Sequence, residues 1–290
     1  MLYAFGVEKQ LSADEPVVPK IDEPRQPTVP LEKQPTPGLQ ADFLMALRFF
    51  SRLPTGDGEH ETPDLGRIAL ALPFASVVIG IGPALLLMGG VWLGLPVYFA
   101  AALAVGAATV VTGAMAEDAI ADSADGLFGG QTIYRRLEIM KDSRHGTYGV
   151  AALCLFMLLR IAAFGSVAAS NPLAAAGVWL GSSVLARSGA LWLAMILGPA
   201  RTDGASATAG QLPRRAFAIG LAFALVIGFL LAAPFAGILG LGLGLCLAVL
   251  TIAGWTELCR RMVGGQTGDL IGALVALTEI AVLTGMLAGL

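Results

Sequence analysis

Apolar runs recur along most of the chain and set its architecture. They cover about 67–89, 96–116, 148–170, 173–197, 214–233, 236–257 and 270–290, each close to the ~20 residues a helix needs to cross a ~30 Å hydrocarbon core. None of them alternates with the period of two expected of a barrel strand. A backbone facing lipid must satisfy its own N–H and C=O groups, so these runs read as helices. The expected fold class is all-α, a polytopic membrane helix bundle of about seven transmembrane helices. Glycine-rich stretches such as Gly237 to Gly244 suit close helix–helix approach.

The first forty residues follow another pattern. Pro16, Pro19, Pro24, Pro27, Pro30, Pro35 and Pro37 stand among acidic and basic residues, and proline at that density removes donors and blocks helices. Residues 1–40 are therefore expected as a disordered Pro-rich tail, with 41–290 forming a membrane-embedded domain. Met1 to Phe5 is apolar, but no long apolar core follows it, so a secretory leader is not expected.

Charge is sparse and one-sided. The 290 residues are 56% hydrophobic and 13% charged, with mean hydropathy +0.75, which points away from a soluble domain. A net charge of −3 argues against nucleic acid as a partner. The connections near Gly89 to Leu95, Asn171–Pro172 and Pro234–Phe235 carry no charge. Those between them hold Arg135, Arg136, Lys141 and Arg144, then Arg201, Arg214 and Arg215, then Arg260 and Arg261; Lys33, Arg48 and Arg52 lie on the tail side. Across seven spans these basic segments share one face, which the positive-inside rule makes cytoplasmic. The location expected is a cell inner membrane. Cys154, Cys246 and Cys259 have no ligand spacing and read as small apolar side chains.

Candidate chemistry gathers on that face. Asp118, Asp122 and Asp125 stand at i, i+4 and i+7 just after the second run, on one side of a helix, with Glu117 beside them. Three carboxylates so placed repel unless a cation lies between them, and hard oxygen donors suit Mg²⁺ shared with substrate phosphates. A solvated acidic helix end is the competing reading, but carboxylates have the wrong sign for a helix C-terminus. Next, Ile133, Leu137 and Met140 form a stripe opposite Arg135, Arg136, Glu138 and Lys141, an amphipathic helix for the cytoplasmic interface. Lys141 to Tyr148 then packs cations, hydroxyls, Asp142 and His145 into eight residues, as a phosphoryl-transfer centre requires.

Gly264 to Asp269 opens the last run as a helix start able to meet phosphate oxygens, with Thr267 or Asp269 as cap. Arg160, Arg187 and Glu279 lie within spans and are expected to face the bundle interior, Arg187 near enough to the cytoplasmic side to serve a substrate phosphate. His60 reads as a loop residue.

From about Phe43 onward the chain resembles cobalamin synthase, the adenosylcobinamide-GDP ribazoletransferase family. Four blocks carry the resemblance: Leu47 to Pro54, Glu117 to Gly126, Arg136 to Arg144 with Gly146 to Gly149, and Gly264 to Asp269. Ala116 stands where the family commonly has histidine, Ala119 where it has glycine, and His145 where an aliphatic residue is usual. The resemblance implies Mg²⁺-dependent transfer from adenosylcobinamide-GDP to α-ribazole or its 5′-phosphate, with GMP released. Asp118, Asp122, Asp125 and Glu117 would hold the metal, Lys141 and Arg144 would stabilise phosphoryl charge, and Asp142 or Glu117 would orient or deprotonate the hydroxyl. Arg48, Arg52, Ser143, Thr147, Tyr148, Arg187, Thr267 and Asp269 are the substrate-side candidates; a homo-oligomer stays open.

Two other classes fit less of the sequence. A CDP-alcohol phosphotransferase also groups aspartates at i, i+4, but Asp122-x-x-Asp125-Gly126 leads into Gly129–Gly130 and not Ala-Arg. A cation-coupled transporter would place its acids near the bilayer midplane, not at a span end beside a basic loop.

Overall fold

The computed structural model describes residues 38–56, 62–142, 144–201 and 211–290; the Pro-rich tail through residue 37, His60 and Ser143 lie outside them. The described chain is helical throughout: α1 (Leu39–Phe50), α2 (Leu65–Trp92), α3 (Val97–Thr112), α4 (Met115–Gly129), α5 (Ile133–Ile139), α6 (Thr147–Ser170), α7 (Pro172–Ala190), α8 (Trp192–Ile196), α9 (Arg214–Met262) and α10 (Gly268–Ala288). Short polar side chains mark the starts. Asp64 accepts from the N–H groups of Gly66 and Arg67 at 2.7 and 3.1 Å, and Asn171 from those of Leu173 and Ala174, with Pro172 opening α7.

Among the described residues five helices are long and apolar enough to cross a membrane, or six if α3 and α4 count as one broken span. This differs from the seven runs drawn on the sequence, and α9 is one reason. Its 49 residues contain both 214–233 and 236–257. A straight helix of that length would extend about 74 Å, more than twice the hydrocarbon thickness. The helix breaks at Gly237, whose φ of 70° belongs to the region glycine enters without cost, three residues after Pro234 has removed a donor. Both ends of α9 reach one end of the bundle. Pro213 lies against Gly66, while the Met262 carbonyl accepts from Arg136 Nη1 at 2.8 Å. At the opposite end Phe235 packs on Gly177 and Tyr98 on Gly165.

Small residues bring the helices together. The backbones of α9 and α10 touch where Gly244 meets Gly285, an approach no side chain would allow. The largest apolar core is built from alanines of α3, α6 and α7 around Phe164 and Trp179, whose ring centroids are 4.2 Å apart.

The second expected run does not continue straight into the acidic segment. Between α3 and α4 the chain turns by 86° at Gly113 and Ala114, with φ of 66° and 58°. Two successive left-handed residues are what redirect α4, and Ala114 carries the β-carbon strain that Gly113 avoids. Ala114→Gly should relieve about 1 kcal/mol and raise the denaturation midpoint in detergent. Gly113→Ala should lower it, since an added Cβ would also meet Arg52 Nε at 2.6 Å.

Candidate active site

The turn at Gly113–Ala114 presents α4 to the end of the bundle where the basic segments converge. Its carboxylates are deployed in three directions. Asp118 is largely exposed at 64% and Asp122 mostly covered at 13%, and His145 lies over both. The imidazole Nε2 is 3.9 Å from Asp118 Oδ1 and Nδ1 is 3.5 Å from Asp122 Oδ1. One donor atom from each of these three residues fits within a 4.8 Å cluster, as a metal site requires.

Asp125, expected beside them, is engaged elsewhere. Its buried carboxylate accepts from the backbone N–H of Gly146 at 2.6 Å and of Gly149 at 2.8 Å, capping α6 from a neighbouring helix. The free N–H groups and positive end of a helix dipole favour that anion. Both glycines are required by proximity: a Cβ on Gly146 would meet Asp125 Oδ1 at 2.7 Å, and one on Gly149 would collide with the same carboxylate. Glu117 points into the bundle, where Thr109 donates to it at 3.0 Å and Arg160 Nη1 lies 3.3 Å away.

The start of α10 closes the acidic cluster. Thr267 Oγ1 accepts from the Leu270 N–H at 3.2 Å, and Asp269 lies near enough for its charge to act on Asp122. Arg201 Nη2 holds Asp269 at 3.2 Å. The chain before Arg201 is tied to the glycine loop by an isolated parallel bridge, with Gln266 N donating to Gly198 O at 2.9 Å and Ala200 N to Gln266 O at 2.8 Å. Asp269 thus lies within electrostatic reach of both Asp118 and Asp122, with Arg201 as its own partner. Three like charges at such range favour either protonation or a bound cation.

This arrangement coincides with a family match. Residues 42–287 match the model described as cobalamin-5-phosphate synthase. The chain belongs to the cobalamin-5-phosphate synthase family. It is 43% identical over 251 residues to the adenosylcobinamide-GDP ribazoletransferase of Azorhizobium caulinodans, covering 85% of this chain and 95% of that protein. The protein of the same name from Xanthobacter autotrophicus is 42% identical over 255 residues, covering 85% and 95%. That from Bradyrhizobium diazoefficiens is 40% identical over 244 residues, covering 84% and 92%. No solved structure matches the chain.

Other expected residues of this synthase-family site fall into distinct groups. Asp142 and Arg144 form a two-pronged pair, Nε to Oδ1 at 3.0 Å and Nη2 to Oδ2 at 2.7 Å. That guanidinium holds the Asp142 carboxyl down at about 2, far too acidic to accept a proton near neutral pH. Lys141, Thr147 and Tyr148 are exposed around the same loop, with the Tyr148 ring tilted against Phe128 at a centroid distance of 5.8 Å. Arg48 is committed locally, its Nε donating to Thr55 Oγ1 at 2.8 Å, and Arg52 packs on the α3–α4 turn while its N–H donates to Val111 O at 2.7 Å. The amphipathic stripe is only partly realised. Met140 is buried beneath Gly126, whereas Ile133 is exposed.

Between α4 and the helices around it lies a cavity of about 90 Å³, lined in part by Phe49, Phe50, Phe156, Glu117, Arg160 and Arg187. As expected, the charges within spans face inward. Arg160 bridges Glu117 and Glu279, each at 3.3 Å, beneath the rings of Phe156 and Trp179. Arg187 pairs with neither Glu279 nor Asp269; its Nη1 is buried without a hydrogen-bond partner. Sequence reasoning missed two contributors, His145 as a neighbour of the aspartates and Arg201 as the partner of Asp269. For the first, the glycines at 146 and 149 just after the histidine were the available signal; Arg201 stands 68 residues from its partner and gave none.

Asp125→Ala should cost roughly 3 kcal/mol in unfolding titrations, two charge-assisted hydrogen bonds being lost at a buried helix start. Asp125→Asn should cost less, since its amide retains one acceptor oxygen.

Proposed function

We propose that this chain performs the final assembly step of cobalamin, joining adenosylcobinamide-GDP to α-ribazole or its 5′-phosphate in a Mg²⁺-dependent reaction. The carrying observation is the cluster of Asp118 and Asp122 of α4 with His145, with Asp269 near enough for its charge to act on Asp122. The relatives named adenosylcobinamide-GDP ribazoletransferase supply the substrate pair.

The donor set fits a divalent cation. Asp118 and Asp122 offer hard oxygens at one exposed and one covered position, leaving room for phosphate oxygens in the remaining positions. A bound Mg²⁺ would neutralise charge on the diphosphate. The ribose hydroxyl oxygen attacks the phosphorus attached to cobinamide, the bond from that phosphorus to GMP breaks, and the hydroxyl proton passes to solvent. In this reading Lys141 and Arg144 would meet the oxygens that gain charge, and the N-terminal end of α10 would offer a second anchor. Asp142 serves as the orienting partner of Arg144 and not as the base.

The site end faces the cytoplasm of a cell inner membrane in this reading. Arg135, Arg136, Arg214, Arg215, Arg260 and Arg261 gather there, while the turns at Leu93–Pro96, Asn171 and Gly237 are without charge.

Purified protein should release GMP from adenosylcobinamide-GDP only with α-ribazole and Mg²⁺ present, and release no CMP from a CDP-lipid. Asp122→Asn should lower GMP release at least about a thousandfold while membrane insertion is retained. Near-normal turnover in that variant would remove the metal-site assignment.

A further inference from the structure

Two buried polar atoms of opposite kind lie in side chains that line one cavity. Glu117 is 5% exposed; its Oε1 takes the donors of Thr109 and Arg160, while its buried Oε2 has no hydrogen-bond partner. Arg187 is partly accessible through the cavity it lines, and its Nη1 has no hydrogen-bond partner either. The two residues are near enough for the charge of Glu117 to act on Arg187. A polar group left unpaired in the interior is costly, so an open donor and an open acceptor beside one cavity are what a ligand carrying both would complete.

The cavity opens beside the aspartates. Met115 and Gly268 of its wall are exposed, Gly268 adjoins Asp269, and Ala116 stands two residues before Asp118. The charges in the wall decide what can enter. Arg160 and Arg187 are matched by Glu117 and Glu279, so a phosphate there would bring a charge that nothing offsets. An uncharged amide needs no counter-ion. It presents a C=O acceptor and an N–H donor on adjacent atoms, in a flat group whose faces suit the rings of Phe49, Phe50 and Phe156. A cavity of about 150 Å³ takes one benzene ring. At about 90 Å³ this one takes the edge of a ligand and not a whole purine.

We propose that the cavity binds an uncharged amide edge of the substrate, its C=O accepting from Arg187 and its N–H donating to Glu117. The inference rests on the substrate pair proposed above, which offers two such edges: the side-chain carboxamides of cobinamide and the lactam edge of guanine. Arg187 and Glu117 are then specificity-determining residues, and the aspartates outside the cavity are left to the diphosphate.

The test uses the full chain in lipid nanodiscs with chelator present, so that binding is read without turnover. Calorimetric titrations compare guanosine with adenosine, and cobinamide with its monocarboxylates, in each of which one side-chain amide is hydrolysed; α-ribazole and inorganic phosphate complete the set. Wild-type protein should prefer guanosine to adenosine at least about tenfold, which marks the lactam edge, or cobinamide to one of its monocarboxylates by as much, which marks a carboxamide. Arg187→Met should erase that preference and leave α-ribazole binding unchanged. Ala116→Leu, which fills the cavity without removing a charge, should do the same. Wild-type protein with neither preference overturns the proposal even if no variant folds. So does a preference that survives both variants, or displacement of the preferred ligand by inorganic phosphate. Failure of the underlying reading looks different: the wild type would then release no GMP in the assay above, whereas failure of this inference leaves that release intact.

Discussion

The site depends on one carboxylate that does not face it. Asp125 uses both oxygens on backbone N–H groups at the start of α6, and so fixes where the preceding loop must run. A buried anion needs compensation for leaving water, and a helix start supplies oriented donors without a counter-ion. Because α4 carries Asp118 and Asp122 on neighbouring turns, the same contact sets the distance between those residues and His145. The tie between α4 and α6 is thus the frame that sets the spacing of Asp118, Asp122 and His145.

A second buried arrangement holds α4 from within. Glu117, one residue from Asp118, meets Arg160 of α6, which also meets Glu279 of α10. Removing a single member of such a cluster leaves uncompensated charge in a low-dielectric interior. The helix that bears the aspartates is therefore clamped on two faces, by a helix start and by an arginine. Its sharp departure from α3 can persist because both clamps oppose its straightening.

Much of this was legible in the sequence, because the strongest signals are local. Apolar runs identify helices directly, and the spacing of Asp118, Asp122 and Asp125 runs along one helix, α4, although Asp125 turns to the start of α6. What periodicity cannot say is which carboxylate a neighbouring helix will claim; Asp125 was claimed by Gly146 and Gly149, 21 and 24 residues away. The number of spans turns on a related point. Hydropathy sees no difference between two helices and one helix broken at Gly237, and it cannot register a turn made by two left-handed residues. Arg201 and Asp269 meet only through tertiary packing, aided by the bridge at Gln266, so neither residue type nor spacing announced the pair.

The glycines under Asp125 carry a genetic consequence. Every single-nucleotide change of a glycine codon that alters the amino acid introduces at least a methyl group. At Gly149 that methyl meets both the Asp125 carboxylate and, at 2.9 Å, the carbonyl of Ala121. Every missense neighbour of that codon therefore forces Asp125 and the α4 backbone to shift.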